Sequence, residues 1–367
     1  MKLALAIMIC VAGTVTARAR TTVVTPGQSI QAALDAASAG DRVVVRPGTY
    51  HEPGATRAVT ITKSGIHLVA APRPGKPVVI EQSGTQTQGI WASPDDTLDP
   101  ADVELPPCGV AGTRLRDIQV SGFTVQGFEG FGIYLACVDG FRVRGNTTQR
   151  NHTYAIFPVR SSRGRMSRNT SSGTLTDACL YVGQDDDILV DHNQASDCQI
   201  GFQIENSTNV RWSHNVAKQN TAGMIVDIIN GRQVKQVSDN LVVGNVLADN
   251  NRPNSAPEGE ETHDIIPGIG LVVDGAQRTT VKSNTLEQNS LAGMTIVDFC
   301  LDRSDVCGAG PLDIDPNPND TVVTRNRFAM NGVDVIYLPA AGHGNCFVRN
   351  RPKELATGTG PLPSCER

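Results

Sequence analysis

Aromatic residues are scarce in this chain. Phe, Trp and Tyr make up 4% of its 367 residues, whereas hydrophobic residues as a whole make up 39%. A chain of this length can bury a large core, and the composition predicts a core of small aliphatic side chains. A surplus of positive charge is also absent, since 32 Lys and Arg face 37 Asp and Glu. This balance disfavours nucleic acid and anionic membrane surfaces as partners.

The chain also lacks a hydrophobic run long enough to span a bilayer. The apolar run from Leu3 to Val15 is too short for that. It follows Lys2 and precedes Ala17-Arg18-Ala19, a small-x-small cleavage pattern, so residues 1–19 are predicted to be a secretory signal. Its removal takes away two positive charges and changes the formal net charge from −5 to −7. We expect a secreted or periplasmic protein without membrane insertion.

No CxxC pair is present, which disfavours a cysteine-ligated metal cluster. Removing the signal and its Cys10 leaves eight cysteines, and an even number in an exported chain predicts disulfides. The sequence does not fix their connectivity. Neighbouring pairs are the simplest arrangement, and we favour Cys179–Cys198 and Cys300–Cys307.

Segments ending in Asn recur along the chain, and an apolar residue precedes each Asn by three positions. These asparagines are Asn146, Asn169, Asn193, Asn215, Asn245, Asn284 and Asn326. The apolar residues are Val143, Met166, Val190, Trp212, Val242, Val281 and Val323. Short strands with alternate residues pointing inward, joined by Asn turns, produce this pattern in a solenoid. The valine, methionine and tryptophan positions are therefore predicted to form one interior column.

The steps between these asparagines lengthen toward the C-terminus. The first three are 23, 24 and 22 residues and the next three are 30, 39 and 42. The longer steps predict loop insertions, which in repeat proteins tend to lie on the binding face. The segment 252–267 is the most conspicuous of them, because it carries several acidic residues.

The sequence predicts an all-β fold, a right-handed parallel β-helix with a short N-terminal capping helix. Pro26-Gly27-Gln28-Ser29 followed by an apolar segment is typical of a capped helix, and the open end of a solenoid needs a cover. We expect a single domain over 20–367. It comprises a cap at about 20–50, stacked coils at about 51–348 and a disulfide-bearing tail at 346–367.

One strand of each coil begins with a small residue, and its second and fourth residues are apolar. The third and fifth residues then face outward and stack into columns about 4.8 Å apart. One column contains Tyr134, Phe157, Tyr181 and Gln203, and its neighbour contains Ala136, Val159, Gly183, Glu205, Asp227 and Asp274. Rings beside carboxylates suit a sugar chain. Alternatively, the rings stack on one another or lie under a loop, and the acids form a solvated edge.

From about Tyr154 to Asp298 the sequence resembles a family of exported parallel β-helix repeat proteins. The resemblance rests on Tyr154–Val159, Thr176–Gln184, Gly201–Ser207, Val234-Lys235 and Pro267–Gly270. It implies the fold and export, and it implies no particular activity. The predicted capped helix from Pro26 to Leu34 and the strand and turn from Asp41 to Tyr50 resemble the N-terminal cap of the pectate-lyase-like β-helix superfamily.

The chain is also distantly similar to polysaccharide lyases and mannuronan epimerases. Such epimerases carry Tyr-Gly-(Phe/Ile)-Asp-Pro-His-(Asp/Glu) on one coil, and Tyr154–Arg160 lies on that frame. Phe157 replaces the catalytic aspartate, Val159 the histidine and Arg160 the last acid. This coil therefore lacks the base that proton abstraction needs, while Arg160 is suited to holding a carboxylate.

These observations predict that the protein binds a polysaccharide, with a uronate polymer as one candidate. The candidate binding residues are Tyr134, Phe157, Arg160, Gln203 and Asp274. If the protein is an enzyme, of the lyase, epimerase or glycoside hydrolase type, the candidate catalytic residues are Asp177, Tyr181, Glu205 and Asp227. Calcium held by carboxylates is the candidate cofactor. The alternative is a non-catalytic periplasmic scaffold that binds a partner protein. We expect a monomer.

Overall fold

The computed structural model describes residues 19–95, 108, 113–340 and 342–365. The predicted signal at 1–19 lies outside these residues except for Ala19. The described chain folds into three long parallel sheets, wound as a right-handed parallel β-helix, as predicted. Within the part that the structure describes, no helix is long and apolar enough to cross a membrane.

Each full coil contributes one strand to each of three sheets, which we number I, II and III. The twelve strands of sheet I are β1 (Thr21–Val24), β2 (Arg42–Val45), β5 (His67–Ala70), β8 (Leu115–Ser121), β11 (Val138–Arg144), β14 (Ser162–Ser167), β17 (Asp186–Asp191), β20 (Arg211–Ser213), β23 (Leu241–Val243), β26 (Thr280–Lys282), β29 (Val322–Thr324) and β32 (Cys346–Val348). The ten strands of sheet II are β4 (Arg57–Ile61), β7 (Gln88–Ala92), β10 (Phe131–Ala136), β13 (Tyr154–Val159), β16 (Ala178–Gly183), β19 (Ile200–Glu205), β22 (Ala222–Asp227), β25 (Ile269–Asp274), β28 (Ala292–Val297) and β31 (Val333–Leu338). The ten strands of sheet III are β3 (Gly48–Tyr50), β6 (Val78–Glu81), β9 (Thr124–Gln126), β12 (Thr147–Gln149), β15 (Thr170–Ser172), β18 (Gln194–Ser196), β21 (Val216–Lys218), β24 (Val246–Ala248), β27 (Thr285–Glu287) and β30 (Arg327–Ala329).

In the described part of the chain, three short helices accompany the sheets: α1 (Ile30–Asp35), α2 (Phe299–Asp302) and α3 (Ser304–Ala309). The Ser29 hydroxyl accepts a hydrogen bond from the Ala32 amide and so caps α1, and Ile30 and Leu34 are buried against the first strands. Strands β1, β2 and β3 lie in the same N-terminal segment and already belong to sheets I and III. The division of the chain into cap, coils and tail stays a prediction.

The interior column lies in sheet I, as the spacing predicted. Val143, Met166, Val190 and Trp212 are register partners on successive strands, and each is fully buried. Phe347 of β32 continues the column toward the C-terminal end. The core is therefore built mainly from aliphatic side chains stacked at the strand spacing.

Each turn asparagine binds the next coil through both its backbone and its side chain. Asn169 shows the pattern: its amide and Nδ2 both donate to Asn193 Oδ1, each at 2.9 Å, and Nδ2 also donates to the Val143 carbonyl at 3.0 Å. The ladder continues from Asn146 to Asn350. A second ladder joins Asn220, Asn250, Asn289 and Asn331. Because these amides are buried, the ladders satisfy polar groups that would otherwise be costly.

Four disulfides join neighbouring cysteines, which confirms the prediction of paired thiols. Cys179–Cys198 and Cys300–Cys307 are the two pairs that the sequence favoured. The others are Cys108–Cys137 and Cys346–Cys365. Disulfides of this kind are typical of an exported protein.

Candidate functional site

The outer face of sheet II has the predicted orientation, because strand alternation places two sets of side chains on opposite faces. Ile133 and Leu135 of β10 pack in the interior core, whereas Tyr134 and Ala136 belong to a separate cluster outside it. The register joins Tyr134 to Phe157 in one outward column and Glu205 to Asp227 in the next.

The first part of the ring column is covered. Its rings are those of Trp91, Tyr134, Phe157 and Tyr181, with centroids 4.1, 5.4 and 4.5 Å apart along the stack. Tyr134 is 0% exposed and Phe157 is 1% exposed. The expectation of an open ring platform is therefore wrong at these two positions. The rings pack as a second hydrophobic core, which is the alternative that the sequence left open.

Gly183 marks the place where the rings of this outer core end, while its aliphatic part continues to Ile200, Ala222 and Ile225. A Cβ atom at this position would lie 2.3 Å from Cε1 of Tyr181 and 3.2 Å from Cε2 of Phe157. The rings of Tyr181 and Phe157 thus extend over the neighbouring column, and at position 183 only glycine leaves room for them. From the next coil onward that column carries Glu205, Asp227 and Asp274.

A cavity of about 290 Å³ opens above these carboxyl groups, and we call it the site pocket. Its described lining is Tyr154, Asp177, Tyr181, Ile200, Gln203, Glu205, Ala222, Ile225, Asp227, Ile229, Glu261, Thr262, Asp264, Ile265, Ile266, Ile269, Val272, Asp274, Thr295, Val297, Leu301 and Arg303. Acidic groups and aliphatic walls share this space, as in many ligand pockets.

Three insertions wall the site pocket, and each belongs to one of the three long steps in the asparagine spacing. Residues 228–240 bring Ile229, residues 249–268 bring the Glu261–Ile266 segment, and residues 298–321 bring Leu301 and Arg303. The lengthening of the repeat therefore marks the part of the solenoid where a pocket is built.

Several hydrogen bonds, two of them buried, hold the insertion 249–268 against the coils. Gln199 Nε2 donates to the Thr262 carbonyl at 3.0 Å, and the Thr262 hydroxyl donates to the Thr176 carbonyl. Ser255 Oγ donates to the Leu175 carbonyl at 2.6 Å. The side-chain amide of Asn254 donates to three carbonyls of the same loop. This wall is thus fixed by its own polar contacts.

Glu205 forms a buried ion pair with Arg232, which comes from the first insertion. Arg232 Nε lies 2.9 Å from Glu205 Oε1, and the two side chains are 10% and 5% exposed. Arg232 Nη2 also lies 3.4 Å from Glu261 Oε2. One guanidinium therefore connects the acidic column to the loop that covers it.

Asp227 has a different environment, in which its charged form is disfavoured. Burial, and next the nearby charges of Glu205 and Asp274, raise its pKa well above the usual aspartate value. Gln203 Nε2 donates to both of its oxygens at 3.2 and 3.1 Å. Adjacent coils thus place a carboxylate with a cationic partner beside a carboxyl that favours its proton.

Tyr181 is the last ring of the buried column and also lines the site pocket. Burial, followed by the charge of Glu205, raises its pKa well above 10. Its hydroxyl is therefore protonated at neutral pH and suited to donating a hydrogen bond.

The structure brings most of the predicted site residues together. All four catalytic candidates, Asp177, Tyr181, Glu205 and Asp227, line the site pocket, as do the binding candidates Gln203 and Asp274. Tyr134, Phe157 and Arg160 are not among its described lining residues. Arg160 directly follows β13, and its carbonyl accepts a hydrogen bond from Arg114 Nη1 at 2.6 Å. The chemical roles assigned to these residues stay predictions.

Sequence reasoning missed three contributors to this site. Arg232 and Arg303 lie in insertions and have no repeat position, so periodicity gave no signal for them. Thr295 occupies the same outward column as Gln203, three strands further along the sheet. Extending that column beyond Gln203, through Ile225 and Val272, would have found it.

A family model described as "Periplasmic copper-binding protein (NosD)" matches residues 59–265, more than half of the chain. No curated protein sequence matches this chain significantly. Among solved structures, the A-module of the Azotobacter vinelandii mannuronan C-5 epimerase AlgE6 is similar with a TM-score of 0.63 and 15% identity, covering 92% of this chain and 93% of that one. The AlgE4 A-module of the same organism gives a TM-score of 0.56 and 13% identity, covering 90% and 95%. At these identities the similarity shows the fold.

The donors of the site pocket do not fit copper. Copper sites in proteins use Cys, Met and His side chains, and the described lining contains none of these. The eight cysteines from Cys108 to Cys365 are all in disulfides. The carboxylates have the oxygen donors that calcium prefers, but in the described ranges no three His, Cys, Asp or Glu side chains converge on one point.

Proposed function

The chain belongs to the family of periplasmic copper-binding proteins (NosD), and within that family we propose that this member binds a polysaccharide strand in the site pocket. The observation that supports this most strongly is the combination of acidic groups and aliphatic walls on the outer face of sheet II. Sugar rings offer hydroxyl donors for carboxylates and apolar C–H faces for aliphatic and aromatic side chains.

The pocket has the arrangement that acid–base chemistry on a sugar would use. Two carboxyl groups on adjacent coils, Glu205 and Asp227, lie in environments that favour opposite protonation states. Glycoside-cleaving sites use such a pair, in which one carboxyl group is ionised and the other donates a proton. The Tyr181 hydroxyl is a further donor at the pocket wall. Polysaccharide cleavage is the activity to look for if the bound strand is processed.

The test is calorimetric titration with oligosaccharides of several charge and linkage types, followed by product analysis. Val272 lies half-buried in the outward column at the pocket floor, so Val272→Trp should fill the cavity. Leu241 is a half-buried residue on sheet I, away from the pocket, and Leu241→Trp is the matched control.

We expect at least one glycan to bind, with affinity falling more than about tenfold in Val272→Trp, as for loss of an interface anchor, and little change in Leu241→Trp. Equal affinity in both variants would place binding elsewhere. Failure of every glycan would contradict the proposal.

The second candidate function is a non-catalytic scaffold that binds a partner protein. It is favoured by two apolar side chains at the pocket rim, Ile266 and Leu301, which are 60% and 55% exposed. Exposed apolar patches often mark interaction sites. A scaffold needs no glycan, so the same titration distinguishes the two candidates.

A further inference from the structure

The site pocket contains more acidic than basic groups. Its described lining contains six carboxyl groups, those of Asp177, Glu205, Asp227, Glu261, Asp264 and Asp274, and one guanidinium group, that of Arg303. A second guanidinium group, that of Arg232, is not in the described lining but pairs with two of these acids, Glu205 and Glu261. A cavity with charges of predominantly one sign repels ligands of the same sign, and low-dielectric walls strengthen that repulsion.

Both guanidinium groups already bind acceptors of the protein itself. Arg232 donates to Glu205 and lies against Glu261, and Arg303 Nη2 donates to the Glu261 carbonyl at 3.3 Å. An incoming carboxylate would have to compete with these groups for the same cations. Arg160, the residue that the sequence suggested for holding a uronate, is not among the lining residues.

The pocket also contains polar oxygens that require a partner. Gln203 Oε1 and Thr295 Oγ1 are buried and make no hydrogen bond to any part of the chain that the structure describes. Both residues are 7% exposed and line the cavity. Since the Gln203 Nε2 group donates to Asp227, its free oxygen faces the ligand space as an acceptor. The buried Gln203 oxygen selects ligands that donate hydrogen bonds, whereas the Thr295 hydroxyl can pair with a donor or an acceptor.

We infer that the site pocket selects sugar residues without negative charge, which present hydroxyl or ammonium donors, and discriminates against uronates. This inference rests on the proposed polysaccharide function and names its substrate class. It separates the chain from the mannuronan epimerases that share its fold, because uronates carry the charge that this lining repels.

The experiment compares sugar oligomers of the same length and linkage that differ in charge. Oligogalacturonate and its fully methyl-esterified form have the same length and linkage, and chitin and chitosan oligomers form a second pair that differs by ammonium groups. Each is titrated into the full protein with and without a chelator. Binding is assigned to the pocket when the heat of binding seen with the wild type is lost in Val272→Trp.

Two acidic residues of one insertion provide matched variants. Glu261 lines the pocket and its side chain is 57% exposed, so Glu261→Gln is compatible with folding. Glu258 is exposed on the same insertion outside the described lining, and Glu258→Gln makes the same charge change there.

We expect the esterified oligomer to bind at least about tenfold tighter than the acid, since juxtaposed like charges are costly. Glu261→Gln should reduce this preference about two- to fivefold, the scale of one partly exposed charge, and Glu258→Gln should leave it unchanged. Equal or tighter pocket binding of the acid, with or without chelator, overturns the inference and leaves the proposed function intact. If no glycan binds in the pocket, the proposed function fails, and this inference fails with it.

Discussion

The earlier and the later coils of sheet II have the same backbone register and opposite surface chemistry. Between β7 and β16 the outward columns carry rings beside small residues, and the rings form a second core. Between β19 and β25 the columns carry Gln203 and the three acids of the pocket floor. The identity of the outward residues, rather than the strand geometry, distinguishes a sealed face from an open one.

We call the coils from β7 to β16 the sealed half and those from β19 to β25 the open half. The two halves also differ in the contacts that their outward side chains need. The rings need only one another and a cover, because apolar burial is non-directional. The acids need specific partners, and these come from insertions, such as Arg232 for Glu205. A solenoid can therefore build a binding site by changing a few outward residues and lengthening the nearby turns, while the interior ladder is unchanged.

The largest expected effect tests the sealed half. Phe157→Ala removes a fully buried ring from the outer core and should lower the free energy of unfolding by about 3–5 kcal/mol. Val272→Ala removes two methyl groups from a half-buried outward position in the open half, and should cost roughly 1 kcal/mol or less. Chemical denaturation monitored by circular dichroism measures both.

Similar small losses for Phe157→Ala and Val272→Ala would contradict the comparison. They would mean that the Phe157 ring is accessible in solution and available as a sugar platform.

The fold was predictable because its signals are local and repeated. Each turn asparagine and the apolar residue three positions before it occur within one short segment, as Val190 and Asn193 do. The seven repetitions make a chance pattern implausible. The disulfide pairs were predictable for a related reason, since neighbouring cysteines lie on the same coil or the next.

The site was predictable only in part, because its cover and its cations come from non-repeated segments. Alternation assigned Phe157 and Glu205 to the same outer face, but it does not reveal which outward residues other segments cover. That depends on contacts distant in sequence, such as the one between Thr262 and Thr176. Arg232 has no repeat position, so no column pointed to it. The lengthened steps located the pocket without specifying its chemistry.

The prediction of intermediate size tests the open half through the pH dependence of the free energy of unfolding. Burial, followed by the charges of Glu205 and Asp274, raises the Asp227 pKa in the folded protein, against the opposing effects of the Gln203 hydrogen bond and the Arg303 charge. The stabilisation from its bound proton is therefore complete below the unfolded pKa of about 3.9 and is lost as pH rises through the folded pKa. Asp227→Asn should match the wild type near pH 4 and be more stable at pH 7, by roughly 1–3 kcal/mol.

Asp239 is the control, because its pKa is shifted in the opposite direction from that of Asp227. Hydrogen bonds from Arg278 lower its pKa, so its stabilisation is present above the unfolded pKa and lost as pH falls through the folded one. Asp239→Asn should therefore lose stability at pH 7 relative to the wild type. Thermal melts of the three proteins from pH 4 to 8 give the comparison. Parallel profiles for Asp227→Asn and the wild type would show that Asp227 is not buried as a proton-favouring group.

The smallest expected effect concerns Tyr181, which lies where the two halves meet. Tyr181→Phe keeps the ring contact with Phe157 and removes only the hydroxyl at the pocket wall, so stability should change by less than about 1 kcal/mol. If that hydroxyl donates to a bound sugar, affinity for the best glycan should fall roughly three- to tenfold, the worth of one neutral hydrogen bond. Because burial raises the Tyr181 pKa well above 10, wild-type affinity should show no phenol titration between pH 7 and 9. Titration calorimetry of both proteins across this range tests the assignment. An affinity that changes with pH in the wild type and not in Tyr181→Phe would mean that the phenol ionises, and Tyr181 would then be a base rather than a donor.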